Sequence, residues 1–259
     1  MFNMIDAHIH WDAYSPGQRT GILDSLDTHG IRAMIAVSMN LKSSRETLEL
    51  SVMDSRVKAA AGFHPEQELP SEEEMDELFT FLDQHASSLV AVGEVGLPYY
   101  RMQDDANLEL KPYEELLERF IVKAKALKKP IVLHCIYEHA GIACDLLEHH
   151  SVEKAHFHWF KGDEAILERV LSNGYKVSVT PDVMYEDEIQ KIVQKAPLDA
   201  IMVETDGPWP FEGPFKGQMT HPGMMGRTIK CIASIKNMDE SEAAEKIFTQ
   251  TKRFYGLSI

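Results

Sequence analysis

Cysteine is scarce. Cys135, Cys144 and Cys231 are the only three in 259 residues, an odd number with no Cys-x-x-Cys pair. Neither a disulfide framework nor a cysteine-based zinc knuckle is suggested by them, and a reducing cytoplasm is the expected compartment. Long apolar runs are missing too. No stretch approaches the ~18 consecutive apolar residues of a membrane span, and the opening Met1-Phe2-Asn3-Met4-Ile5-Asp6 has no basic region followed by an apolar run. No membrane association is expected. Positive charge is in short supply: 26 Lys and Arg stand against 41 Asp and Glu, a formal net charge of -15. That field repels a long polyanion, so tight binding of duplex DNA is not expected. Acidic helix starts such as Ser71-Glu72-Glu73-Glu74 account for much of the excess and keep the surface soluble.

What is present is a regular alternation. Apolar residues make up 44% and charged residues 26% of the chain, ordinary values for a globular protein. Short β-branched or apolar runs recur around Met4 to His8, Ala33 to Val37, Val57 to Gly62, Leu89 to Gly93, Ile131 to His134, Ala155 to His158, Lys176 to Val179 and Ile201 to Glu204. Amphipathic segments separate them. Eight strands alternating with helices, in a chain close to the ~250 residues typical of the fold, predict a single (β/α)8 TIM barrel. An open doubly wound sheet is the competing architecture. No Pro/Gly/Ser-rich linker divides the series, so residues 1–259 read as one domain. Ser71 and Glu74 predict a capping box before a helix burying Met75, Leu78, Phe79 and Leu82. Asp239 and Glu242 predict another before a last helix that stops near Gly256.

The polar residues favour the barrel over the open sheet. His8 and His10 follow strand one, His64 strand three, Glu94 strand four, His134 strand five, His158 strand six and Asp206 strand eight. Barrel active sites sit at the C-terminal ends of the strands, so these residues converge on a catalytic mouth. His-x-His on a strand points both imidazoles to one side. Four imidazoles and two carboxylates are more ligands than one tetrahedral zinc can use, but they suit a two-metal site. The expected arrangement puts His8, His10 and Asp206 on one metal and His134 and His158 on the other, with Glu94 bridging and a hydroxide shared between them. Histidine-rich coordination favours zinc, while the carboxylates accommodate manganese or magnesium. Asp206 doubles as the expected general base. His64 is expected to touch substrate. His156 faces the same way as His158, and spacing alone does not choose between them, although a buried core role suits His156. His29, His85, His139, His149 and His150 fall in predicted helices or their ends and are expected at the surface.

The ordered motifs resemble the TatD family of metal-dependent hydrolases, within the wider amidohydrolase-type barrels. Asp6-Ala7-His8-Ile9-His10, Gly62-Phe63-His64-Pro65, Gly93-Glu94-Val95-Gly96-Leu97, Val132-Leu133-His134, His158-Trp159-Phe160-Lys161-Gly162 and Val203-Glu204-Thr205-Asp206-Gly207-Pro208 follow the family's order. Lys252-Arg253-Phe254-Tyr255-Gly256 resembles its C-terminal helix ending. The family's His-x-Phe-x-Gly pattern assigns the ligand role to His158. The resemblance implies a divalent-metal hydrolase, and many members are described as deoxyribonucleases acting at DNA ends. This chain departs from the pattern at Pro98, where Asp is usual, at Ile136, where Arg is usual, at Glu66 in place of His, and at Met219-Thr220-His221-Pro222 in place of Arg-Asn-Glu-Pro. The lost arginines are the side chains best suited to a phosphodiester. Cleavage of a phosphoester, at a nucleic-acid end or in a small molecule, is the expected activity. Hydrolysis of an amide, ester or lactone of a small molecule, and a catalytically silent metal-binding barrel, are the alternatives. Trp159, Trp209 and Phe211 near the mouth are available to stack on a base or sugar, though aromatic residues there also serve simple packing.

Overall fold

A computed structural model of the chain describes residues 2–259. Eight strands, β1 (Met4–Ile9), β2 (Ile31–Ala36), β3 (Val57–Ala61), β4 (Ala91–Gly96), β5 (Ile131–His134), β6 (Ala155–Phe157), β7 (Lys176–Val179) and β8 (Ile201–Val203), alternate with helices. Each pairs in parallel with the next, in the order β1 to β8. Across the remaining seam the amide of Asp206 donates to the carbonyl of His8 at 2.9 Å and that of His10 to Gly207 at 2.7 Å. This is the (β/α)8 barrel that the alternation of runs predicts.

Strands buried on both faces sort their residues into two layers. Ile31, Met34, Ala36, Val92, Ile131, Leu133, Val177 and Val203 pack outward with helix residues in the larger apolar cluster. Ile5, Ala33, Ile35, Ala60, Ala91, Val132 and Met202 form the inner layer, together with Phe254, Tyr255 and Leu257 from the end of the chain. The C-terminal helix Glu240–Tyr255, capped by Asp239 and ended by Gly256 in the left-handed conformation, thus packs its last turn into the barrel core.

Local signals hold at most helix ends. Ser71 and Glu74 form the capping box of helix Glu72–His85. Its buried residues are Met75, Leu78, Phe81 and Leu82. Phe79, expected among them, is half-buried because it lies under Arg119 and Lys123 and against Phe120. Asp239 caps the last helix through the amides of Ser241 and Glu242, while the Glu242 carboxylate pairs with Lys246 and closes no box. His139, expected at the surface, is buried: with Ala143 and Leu147 it lies on the face of helix Glu138–His149 that packs inward.

Strand β4 runs to Gly96, three residues past the expected end at Gly93, so Glu94 lies within the strand and not after it. Those glycines are needed for close approach. A Cβ on Gly96 would collide with the backbone carbonyl of His134, and one on Gly62 would stand 2.6 Å from the carbonyl oxygen of Glu94. Gly96→Ala therefore forces β4 and β5 apart beside Glu94 and His134. The expected cost is about 3 kcal/mol, the upper end for overpacking a core. Chemical denaturation checks it, and a loss below about 0.5 kcal/mol would mean that the strand ends are not held this closely.

Candidate metal centre

Glu94 is fully buried, and its two oxygens face different groups. Oε2 lies 3.1 Å from His8 Nε2 and 3.3 Å from His10 Nε2, and Asp206 Oδ1 is 3.4 Å from each of the same two nitrogens. Oε1 lies 3.0 Å from His134 Nδ1 and 2.8 Å from His158 Nε2, which are 3.1 Å apart. His64 Nε2 stands 3.4 Å from Oε1. The structure thus brings together all seven residues that the strand ends nominate: His8, His10, His64, Glu94, His134, His158 and Asp206.

The donor set suits divalent cations. Bonds of ~2.1 Å radiating from one point leave neighbouring donors ~3.4 Å apart, close to the spacing around both Glu94 oxygens. His8 Nε2, Glu94 Oε2 and Asp206 Oδ1 are buried without a hydrogen-bond partner. Buried polar atoms without partners are rare because each carries its full desolvation penalty. His8, His10 and Glu94 form one group able to hold a metal, and His64, Glu94 and His134 another.

Electrostatics say the same. Burial opposes charge on both carboxylates, yet the close approach of His10 and His8 holds Asp206 far below the carboxylate range, and His158, His64 and His8 hold Glu94 well below it. Burial would lower His10, but Asp206 and Glu94 outweigh it and raise the imidazole to about 10. Glu94 likewise outweighs burial at His158, and Glu66 with Glu94 at His134, raising both. His64 pairs less closely, so burial wins and drops it to about 3. The carboxylates draw positive charge into the site.

Carboxylates also stand behind two of the histidines. Glu204, two residues before Asp206, places Oε1 3.4 Å from His158 Nδ1. Glu66 accepts from the amides of Tyr100 and Arg101, both at 2.8 Å, and lies 3.2 Å from His134 Nε2. Sequence reasoning missed both roles. Glu204 was legible as a carboxylate two residues before Asp206, just past β8; Glu66 was not, because its partners come from β5 and the short helix after β4.

His156 takes the core role expected of it, fully buried with Ser178 and Tyr255 on its two nitrogens. Above the site a cavity of about 380 Å³ opens, walled by Tyr100, Ile136, Trp159 and Trp209 and containing no Lys or Arg among its lining residues. Phe211 packs behind the wall with Phe215 and Met224, its ring centroid 6.0 Å from that of Trp159.

The sequence model described as TatD related DNase matches residues 5–256. The chain belongs to the TatD family. An uncharacterized metal-dependent hydrolase of Haemophilus influenzae is 38% identical over 98% of this chain and 100% of its own length. Deoxyribonuclease TATDN3 of Homo sapiens is 26% identical over 93% of this chain and 90% of its own. The crystal structure of YjjV, a TatD homolog from Escherichia coli K12, has the same fold, with a TM-score of 0.86 at 24% identity and 98% of each chain covered. The protein is therefore a metal-dependent hydrolase of the TatD family.

A pH dependence follows from the TatD site. His10, His134 and His158 keep protons in the folded chain above the ordinary histidine value of 6.5. Their contribution to stability is complete below pH 6.5 and is lost as pH rises through about 10, the folded value for His10. His64 and His156 have the opposite sign: neutral in the fold, they contribute above 6.5 and lose that contribution as pH falls. Chelator-treated protein should therefore show its highest Tm near pH 6.5 and a falling alkaline limb. Saturating Zn2+ should turn that limb upward, since imidazoles bind metal only when neutral. Thermal scans with and without ion check this; identical alkaline limbs would mean that these histidines do not meet the cation.

Proposed function

We propose that this TatD protein hydrolyses a phosphoester at a DNA end, using two divalent ions held by His8, His10 and Asp206 on one side, His134 and His158 on the other, and Glu94 between them. The observation that carries the reading is the position of Glu94, whose two oxygens each face a separate histidine group. Zinc suits the nitrogen-rich set, and manganese or magnesium would be accepted by the carboxylates. Such ions would acidify a water molecule and polarise the scissile group.

The chain's own residues supply the rest. Asp206, buried and held ionised by His8 and His10, takes the proton from the attacking water and returns it to the leaving oxygen. Neutral His64, at the edge of the same cluster, contacts the substrate by hydrogen bond. Tyr100 and Trp209 are about half exposed at the pocket wall and offer stacking faces for a terminal base or sugar. With no cation among the lining residues, the pocket suits a chain end and has nothing to hold an extended backbone. The deoxyribonuclease name of the human relative supports a nucleic-acid substrate. We further propose that residues 1–259 act as one domain in the cytoplasm, where three free cysteines stay reduced.

A second reading is favoured by Ile136 in the pocket wall, an apolar residue where a phosphate-binding arginine is usual. It keeps the ions and changes the bond to an amide, ester or lactone of a small molecule.

Metal-loaded protein is expected to shorten an end-labelled single-stranded oligonucleotide, and Asp206→Asn to lower the rate at least about 100-fold while Tm stays within a few degrees. Lactone or amide cleavage with no shortening of DNA in any metal would select the second reading. A sample that holds its ions and cleaves neither would be the silent metal-binding barrel.

A further inference from the structure

Two strands interrupt the inner apolar layer of the barrel. Where the others present Ala, Ile, Val or Met, β6 presents His156 and β7 presents Ser178, both buried. These two side chains hydrogen-bond to each other, His156 Nε2 lying 2.7 Å from Ser178 Oγ. On one side His156 Nδ1 meets the hydroxyl of Tyr255 at 2.7 Å. On the other, Ser178 Oγ lies 2.5 Å from Glu204 Oε2, and Glu204 Oε1 reaches His158 Nδ1. A buried polar line thus runs from the last residue of the C-terminal helix, inside the barrel, to a histidine at its mouth.

We propose that Tyr255 and His156 are positioning residues for His158, acting through Ser178 and Glu204, so that the end of the chain sets how strongly one side of the site holds a divalent ion. The inference rests on the metal reading given above.

The direction of every proton in the line is forced. The Glu204 carboxylate only accepts, so Ser178 must donate its single hydroxyl proton to it. Ser178 then accepts from His156, which places the His156 proton on Nε2 and leaves Nδ1 bare. Nδ1 must accept from the Tyr255 hydroxyl. Donation therefore points from Tyr255 toward Glu204 throughout, and such chains polarise cooperatively. The amide of Trp159 adds a further bond to Glu204 Oε1 at 2.7 Å. These two bonds hold the Glu204 side chain in place behind His158. The carboxylate favours a proton on His158 Nδ1 and leaves Nε2, 2.8 Å from Glu94 Oε1, as the atom that would bind an ion. A carboxylate behind an imidazole fixes its tautomer and raises its basicity as a ligand.

The backing is one-sided. His134 has Glu66 behind it at 3.2 Å and His158 has Glu204 behind it at 3.4 Å, whereas His8 and His10 pair with carboxylates only through Nε2. Breaking the line should therefore weaken the ion on the His134–His158 side and spare the other.

Zn2+ titration of the full-length protein against a chromophoric chelator near neutral pH tests this. Wild type should take up two ions. Tyr255→Phe and Ser178→Ala should each weaken one of them about 10–100-fold and leave the second unchanged, while Ser178→Thr, which keeps the hydroxyl, should restore both. Tyr175→Phe is the control: it removes a buried hydroxyl bonded to the Val152 carbonyl, outside the line. Wild-type uptake by both Tyr255→Phe and Ser178→Ala, or an equal loss in Tyr175→Phe, would overturn the proposal. If Tyr255→Phe does not fold, the Ser178→Ala and Ser178→Thr pair decides. Failure of wild type to bind any ion would overturn the metal reading itself.

Discussion

The structure depends on keeping one carboxylate ionised where water does not reach. Glu94 has no exposed surface, and the effective penalty for burying such an ion is several kcal/mol. No single partner offsets that. The barrel does so by convergence: parallel strands deliver His8, His10, His134 and His158 to one end of the sheet, all within 3.3 Å of a Glu94 oxygen. Gly62 and Gly96 let β3, β4 and β5 approach closely enough for that geometry. Asp206 repeats the problem at the same place, and its solution shares His8 and His10. The residues around the two carboxylates are therefore mutually dependent, since removing one imidazole leaves charge uncompensated on its neighbours.

That dependence explains why the donors and the pocket wall differ in their freedom to change. The donors match the TatD pattern at every position, whereas the wall departs from it, and two departures turn out to be one. Pro98 begins the short helix Tyr99–Asp104, and the amides of Tyr100 and Arg101 in its first turn donate to the carboxylate of Glu66. A helix start attracts an anion through its free N–H groups. Glu66, so fixed, stands behind His134. The two departures together thus support a histidine of the site.

Much of this was legible in the sequence, and the limits have physical causes. Strand centres followed from β-branched runs, and the site from polar residues at strand ends, because inward burial and convergence are imposed by the barrel itself. The end of β4 was misread since glycine is ordinarily a turn signal, whereas Gly93 and Gly96 serve there as room for β5. His139 was misplaced because histidine is polar on average, although its four-residue spacing to Ala143 and Leu147 marked the buried face. Glu66 could not be found at all: its partners lie 34 to 68 residues away, and no local pattern encodes them.

The same distinction locates specificity. Atoms around Glu94 can hold cations and activate water for several kinds of ester or amide, so they say little about which bond is broken. The choice falls to the wall. Its aromatic faces at Tyr100, Trp159 and Trp209 bind flat or apolar groups, and Ile136 offers no hydrogen bond. A phosphate in this pocket would meet positive charge only at the floor. Substrate phosphates beyond the reacting one would therefore meet no Lys or Arg among the lining residues, and further contacts there would fall to the aromatic rings and to Glu66.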